Sequence, residues 1–229
     1  MMTLSGKSYA FWAGIGLCMM LGVCGLFPAS AQNANGGAAK MRIVVLGDSI
    51  TAGHGLDPQE AYPAVLQKKI DAAGLPYTVA NAGVSGDTTA GGLRRINWAL
   101  GQQGADVLVV ALGGNDGLRG ISPEQTEQNL AGIIDKAREK KPELKVIVAA
   151  MQMPENMGEE FTTKFKGVFP KVAKEKKAEL VPFLLEGVGG VESLNQDDRI
   201  HPNAEGQKKV AENVWKVLEP VVKGEATVP

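Results

Sequence analysis

Ser49 stands directly after Gly47-Asp48, and far down the chain Asp198 stands three residues before His201. A hydroxyl, an imidazole and a carboxylate are the parts of nucleophilic acyl transfer: the base takes the hydroxyl proton, and the carboxylate holds the base. That chemistry also needs donors for the oxyanion that develops on the substrate carbonyl. Two clusters offer them, Asn81-Ala82-Gly83-Val84-Ser85-Gly86-Asp87-Thr88 and Gly113-Gly114-Asn115-Asp116-Gly117, each setting small residues beside polar ones where backbone can approach a ligand closely. Ser85 is a rival nucleophile, His54 a rival base, and Asp197 a rival carboxylate at four residues from His201. The chain has only two histidines and two cysteines, so the choice of base lies between His54 and His201. No serine satisfies G-x-S-x-G, so the nucleophile elbow of the α/β-hydrolases is absent.

These residues must be positioned by something, and each cluster follows a short apolar run. Arg42 to Leu46, Tyr77 to Ala80, Val107 to Leu112 and Lys145 to Ala150 have the composition of buried strands, and a weaker fifth lies around Glu179 to Phe183. Leu130, Ile133, Ile134 and Ala137 keep the spacing of an amphipathic helix, as do Val210, Val214, Val217 and Leu218. Ser122-Pro123-Glu124-Gln125 begins the first of these with a capping box and a proline at the first helical position. Continuous apolar strands separated by amphipathic helices predict a parallel sheet covered on both faces, an α/β sandwich with its functional loops at the carboxyl ends of the strands. Lys171 to Lys177 reads as a solvated, mixed-charge helical face. The glycines of the second cluster, with Gly91-Gly92 beyond them, predict a mobile second loop.

The chain has 229 residues, 24 Lys+Arg against 25 Asp+Glu and a net charge of -1, which is one ordinary globular domain without the basic bias of a nucleic-acid binder. Residues 1–31 carry one charge, Lys7, then an apolar run to Phe27, Pro28 and the triplet Ala29-Ser30-Ala31. They read as a secretory signal peptide cleaved before Gln32. Cleavage removes Cys18 and Cys24, so the mature chain has no thiol nucleophile and no disulfide framework. Residues 32–40 read as a flexible leader, 41–222 as the catalytic domain and 223–229 as a tail. The expected location is periplasmic or extracellular, with no integral membrane association after cleavage.

The ordered set Gly47-Asp48-Ser49, Gly86, Gly113-Gly114-Asn115-Asp116 and Asp198-x-x-His201 resembles the SGNH (GDSL-type) hydrolase superfamily. The runs Ser85-Gly86-Asp87-Thr88, Gly113 to Gly120 and Gln196 to Pro202 are similar to its secreted arylesterases and periplasmic acyl thioesterase/lysophospholipases. The resemblance implies a three-layer α/β/α sandwich with a five-stranded parallel sheet in the flavodoxin-like order 2-1-3-4-5. It implies Ser49 as nucleophile, His201 as base and Asp198 as its holder, with the oxyanion bound by the N–H groups of Ser49 and Gly86 and the amide of Asn115. It places Met151, Met153 and Met157, after the fourth strand, near an acyl-binding wall. The expected activity is hydrolysis of short to medium acyl esters, thioesters or lysophospholipids by a monomer without metal or cofactor. The alternatives are a carbohydrate (acetyl) esterase of the same superfamily and a metal-dependent phosphoesterase using Asp48, Asn115, Asp198 and His201.

Overall fold

The computed structural model describes residues 40–225; the expected signal peptide, most of the leader and the last four residues lie outside them. Five strands, β1 (Met41–Gly47), β2 (Tyr77–Gly83), β3 (Val107–Ala111), β4 (Lys145–Ala149) and β5 (Glu179–Val181), form one parallel sheet in the order β2-β1-β3-β4-β5. Ile43 to Leu46, Val107 to Val110 and Ile147-Val148 have no exposed surface, which explains why these runs carry no polar alternation.

The helices are α1 (Ser49–Ala52), α2 (Tyr62–Ala72), α3 (Thr89–Leu100), α4 (Gly114–Leu118), α5 (Pro123–Lys140), α6 (Glu159–Glu175) and α7 (Ala204–Lys223). The step from β1 to β2 runs one way across the sheet and every later step runs the other. Right-handed crossovers therefore put α2 on the face opposite α3, α5 and α6. Packing agrees: α3 lies against α5 and α5 against α6, whereas α7 lies against α2. The reversal falls between β1 and β3, and that switch point is where open parallel sheets carry their ligand crevice.

Strand ends differ from expectation in an instructive way. β2 runs on to Gly83, because Gly47 pairs with Gly83 as well as with Ala111, a register no local pattern contains. Gly91 and Gly92 are not loop residues but the first turns of α3. A side chain at Gly92 would meet Leu112 and Ile133, so glycine there permits close helix–sheet packing rather than mobility. The Lys171 to Lys177 run does more than meet solvent: Lys171 pairs with Glu127 and Lys176 with Asp135, each at 2.7 Å, joining α6 to α5.

Candidate active site

β1 delivers Ser49 to the switch point. Asp48 caps α1, its Oδ1 accepting the Ile50 N–H at 3.0 Å, and its carboxyl is only 3 % exposed. Burial, opposed by the capping bond and the neighbouring His201, pushes that carboxyl up to about 6.

His201 arrives on the loop before α7, not on the helix itself. Asn203 caps α7 by accepting the Gly206 N–H at 3.0 Å, which leaves Asp198 free for a different task. Asp198 Oδ1 accepts the N–H groups of Ile200 and His201, both at 2.9 Å, and Oδ2 lies 2.6 Å from His201 Nδ1. The backbone N–H of His201 leads the causes that hold the Asp198 carboxyl down to about 2, with the imidazole bond next. A carboxylate on Nδ1 fixes the tautomer that carries its proton there, so Nε2 is an acceptor. Ser49 Oγ sits 2.8 Å from that Nε2 and donates to it.

The structure thus brings Ser49, His201 and Asp198 into one hydrogen-bonded chain. Ser85 is exposed in the turn after β2, and Asp197 is exposed beside Asp198. His54 is neither between Ser49 and a carboxylate nor remote: its ring stands 4.7 Å from the His201 ring.

Gly86 adopts φ +78°, the left-handed region that favours glycine, in the turn after β2. Among the described residues no acceptor takes the N–H of Gly86 or that of Ser49. Arg119 Nη2 donates to the Gly86 carbonyl at 3.0 Å and so holds the peptide that follows the Gly86 N–H. Asn115, on α4, donates from Nδ2 to the Asp87 carbonyl at 2.9 Å and, at 3.4 Å, to Asp48 Oδ2. α4 is itself anchored by Asp116, which has no exposed surface and accepts from both the N–H and the hydroxyl of Thr89, while Asn129 Nδ2 donates to that hydroxyl at 3.0 Å. The oxyanion candidates are therefore three groups on three elements, cross-linked by neighbours.

A cavity of about 550 Å³ opens over Ser49, Asn115 and His201. Leu118, Met151, Met153, Phe183, Leu185 and Ile200 give it apolar walls. Met151 and Met153 come from the segment after β4; Met157 belongs to the 3₁₀ turn Glu155–Met157 and is not part of the lining. The apolar walls suit an acyl chain, and flexible thioethers adapt to its shape.

Sequence reasoning missed Arg95, Arg119 and Gln196. Arg119 and Gln196 lie in the runs Gly113 to Gly120 and Gln196 to Pro202 without a role of their own there, and Arg95 lies outside every motif. Only the spatial neighbours give them work.

Comparison with known proteins follows the same line. The GDSL-like lipase/acylhydrolase family matches residues 45–209. Esterase TesA of Pseudomonas aeruginosa is 45% identical over 185 residues, which cover 81% of this chain and 91% of the relative. Thioesterase 1/protease 1/lysophospholipase L1 of Escherichia coli K12 is 38% identical over 187 residues, 81% of this chain and 86% of the relative. Among solved structures, that of TesA superimposes with a TM-score of 0.75 at 45% identity, covering 79% of this chain and 99% of its own. By fold, by strand-end motifs and by these matches, the chain belongs to the GDSL-like lipase/acylhydrolase family, the SGNH hydrolases.

Proposed function

We propose that this protein is an exported serine esterase that cleaves short to medium acyl esters through an acyl-enzyme on Ser49. The observation that carries the reading is the unbroken chain of Ser49 Oγ to His201 Nε2 at 2.8 Å and His201 Nδ1 to Asp198 Oδ2 at 2.6 Å. Ser49 Oγ attacks the ester carbonyl as its proton passes to Nε2. The carbonyl electron pair moves onto oxygen, which takes hydrogen bonds from the N–H groups of Ser49 and Gly86 and from Asn115 Nδ2. Collapse breaks the bond to the leaving oxygen or sulfur, and His201 returns the proton to it. Water, deprotonated by the same imidazole, then releases the acid.

The apolar cavity supports an acyl group of appreciable length, and the names of the relatives support esters, thioesters and lysophospholipids as candidate substrates. No group of three or more His, Cys, Asp and Glu among the described residues could hold an ion. Among the described residues no helix is long and apolar enough to cross a membrane. Export rests on residues 1–31, and the protein is taken to act as a monomer on a small-molecule substrate.

The test is hydrolysis of p-nitrophenyl esters and acyl-CoAs of graded chain length by the mature protein and by Ser49→Ala. Chain-length-dependent turnover that vanishes in a folded Ser49→Ala supports the reading. A flat, low response with strong release of acetate from acetylated sugars moves the substrate to carbohydrate. Activity retained in Ser49→Ala and lost in Ser85→Ala moves the nucleophile. N-terminal sequencing of the exported protein checks cleavage before Gln32.

A further inference from the structure

His54 is one of only two histidines in the chain, and the acyl transfer proposed above does not use it. Its ring lies 4.7 Å from that of His201, centroid to centroid, with the planes tilted by 47°. Backbone bonds fix this approach from two sides. The His54 N–H donates to the Ser49 carbonyl at 3.0 Å, which ties the backbone of His54 to the nucleophile's own turn. Gln196 Nε2 donates to the His54 carbonyl at 2.7 Å, while the Gln196 N–H donates to the His201 carbonyl at 2.8 Å. One glutamine therefore staples the segment after Ser49 to the loop that carries the base, and the His54 ring sits at the seam.

The two bonds that hold the His201 ring, to Asp198 and to Ser49, both act at its edge. A flat ring held at two edge atoms remains free to rock about the line joining them unless a face is blocked. The solvent-exposed His54 ring lies against that of His201, tilted, and restricts that motion. We propose that His54 is a positioning residue that backs the imidazole of His201 and so sets how fast that imidazole takes the Ser49 proton. The proposal rests on the reading of His201 as the base of Ser49.

His201 becomes a cation as it takes the Ser49 proton, and Asp198 and Asp48 favour that cation. Even at the dielectric of water, a fixed positive charge 4.7 Å away would change the rate about fourfold.

Covalent labelling of Ser49 by a fluorophosphonate, located by mass spectrometry across about pH 5 to 9, reads base activation without reference to substrate preference. His54→Phe keeps a flat ring. It should label at the wild-type rate. His54→Arg sets a fixed cation against the His201 cation of the transition state, and should lower the labelling plateau about fourfold. His54→Ala should lower the plateau and the esterase kcat about tenfold with KM unchanged, less than the 10²-fold a 1 Å misplacement can cost. Unfolding midpoints show whether each variant is folded, and His54→Phe preserves the packing if His54→Ala does not. The proposal is overturned if folded His54→Ala labels as fast as wild type, or if His54→Arg keeps the wild-type plateau. Absence of Ser49 labelling in the wild type is a different result: it removes the base assignment itself.

Discussion

Arg95 Nη2 donates to the carbonyl of Gly47 at 2.9 Å, two residues before Ser49. The same guanidinium donates from Nη1 to the Ala82 carbonyl at 2.8 Å and from Nε to Asp87 Oδ2 at 2.7 Å. One planar group thus spans the end of β1, the end of β2 and the loop that holds Gly86. The nucleophile's strand and the oxyanion loop are set relative to each other by a side chain that touches no substrate.

Arginine's fork is what allows three acceptors in fixed directions, and lysine cannot reproduce it. Arg95→Lys should keep the pairing with Asp87 in part, lose the strand-end bonds, and lower kcat for ester hydrolysis about tenfold with little change in KM. Arg95→Met removes the charge as well. With Asp87 only 12% exposed and left without its partner, it should cost about 3 kcal/mol of stability. Steady-state kinetics and thermal unfolding check both, and an Arg95→Lys enzyme with wild-type kcat would show that the clamp is structural only.

Asp198→Asn isolates the carboxylate's charge from its geometry. The amide oxygen can still accept the N–H groups of Ile200 and His201, so the loop keeps its shape. The amide nitrogen, however, would face His201 Nδ1, which must then accept, and Nε2 would carry the proton and cease to be a base toward Ser49. A loss in kcat approaching 10⁴-fold is expected, with the unfolding midpoint nearly unchanged. Because the Asp198 carboxyl is held down to about 2, chiefly by the His201 N–H, wild-type activity should not be lost through its protonation anywhere above about pH 4.

Asn115 is the oxyanion candidate whose side chain can be removed. Asn115→Ala deletes one donor and also the bond to the Asp87 carbonyl. It should lower kcat by roughly 10²- to 10³-fold while substrate KM changes little, since the donor acts on charge that appears in the transition state. A matched fall in binding of substrate would place Asn115 in ground-state recognition instead.

Much of this was legible in local sequence because the parts that do chemistry sit at the ends of strands. The apolar runs announce the strands, and Ser49, Asn115 and the Asp198–His201 pair follow them or precede the last helix within a few residues. What was not legible depends on which strand ends are neighbours. β2 extends to Gly83 only because Gly47 lies opposite it. Arg95 becomes a clamp only because β1 and β2 end side by side, and Gln196 becomes a staple only because residues far apart in sequence meet. Asp198 lies close enough to the start of α7 to cap it, and it holds the histidine instead because Asn203 does the capping.

Asp48 connects the site to the pH dependence of stability. Its carboxyl is raised from an ordinary 3.8 to about 6 by burial, so the folded protein binds a proton there that the unfolded chain has released. This group's contribution is therefore most favourable below about pH 4 and is lost as pH rises through about 6. Asp48→Asn, neutral at every pH and still able to accept the Ile50 N–H, should be more stable than wild type at pH 8 by up to about 3 kcal/mol. The advantage should shrink to nearly nothing by pH 4. Thermal unfolding midpoints measured from pH 4 to 8 decide it, and a difference that does not vary with pH would show that the buried charge is not its source. The same charge stabilises the His201 cation, so the more stable Asp48→Asn should also be the slower esterase, by less than Asp198→Asn because Asp48 makes no hydrogen bond to the ring.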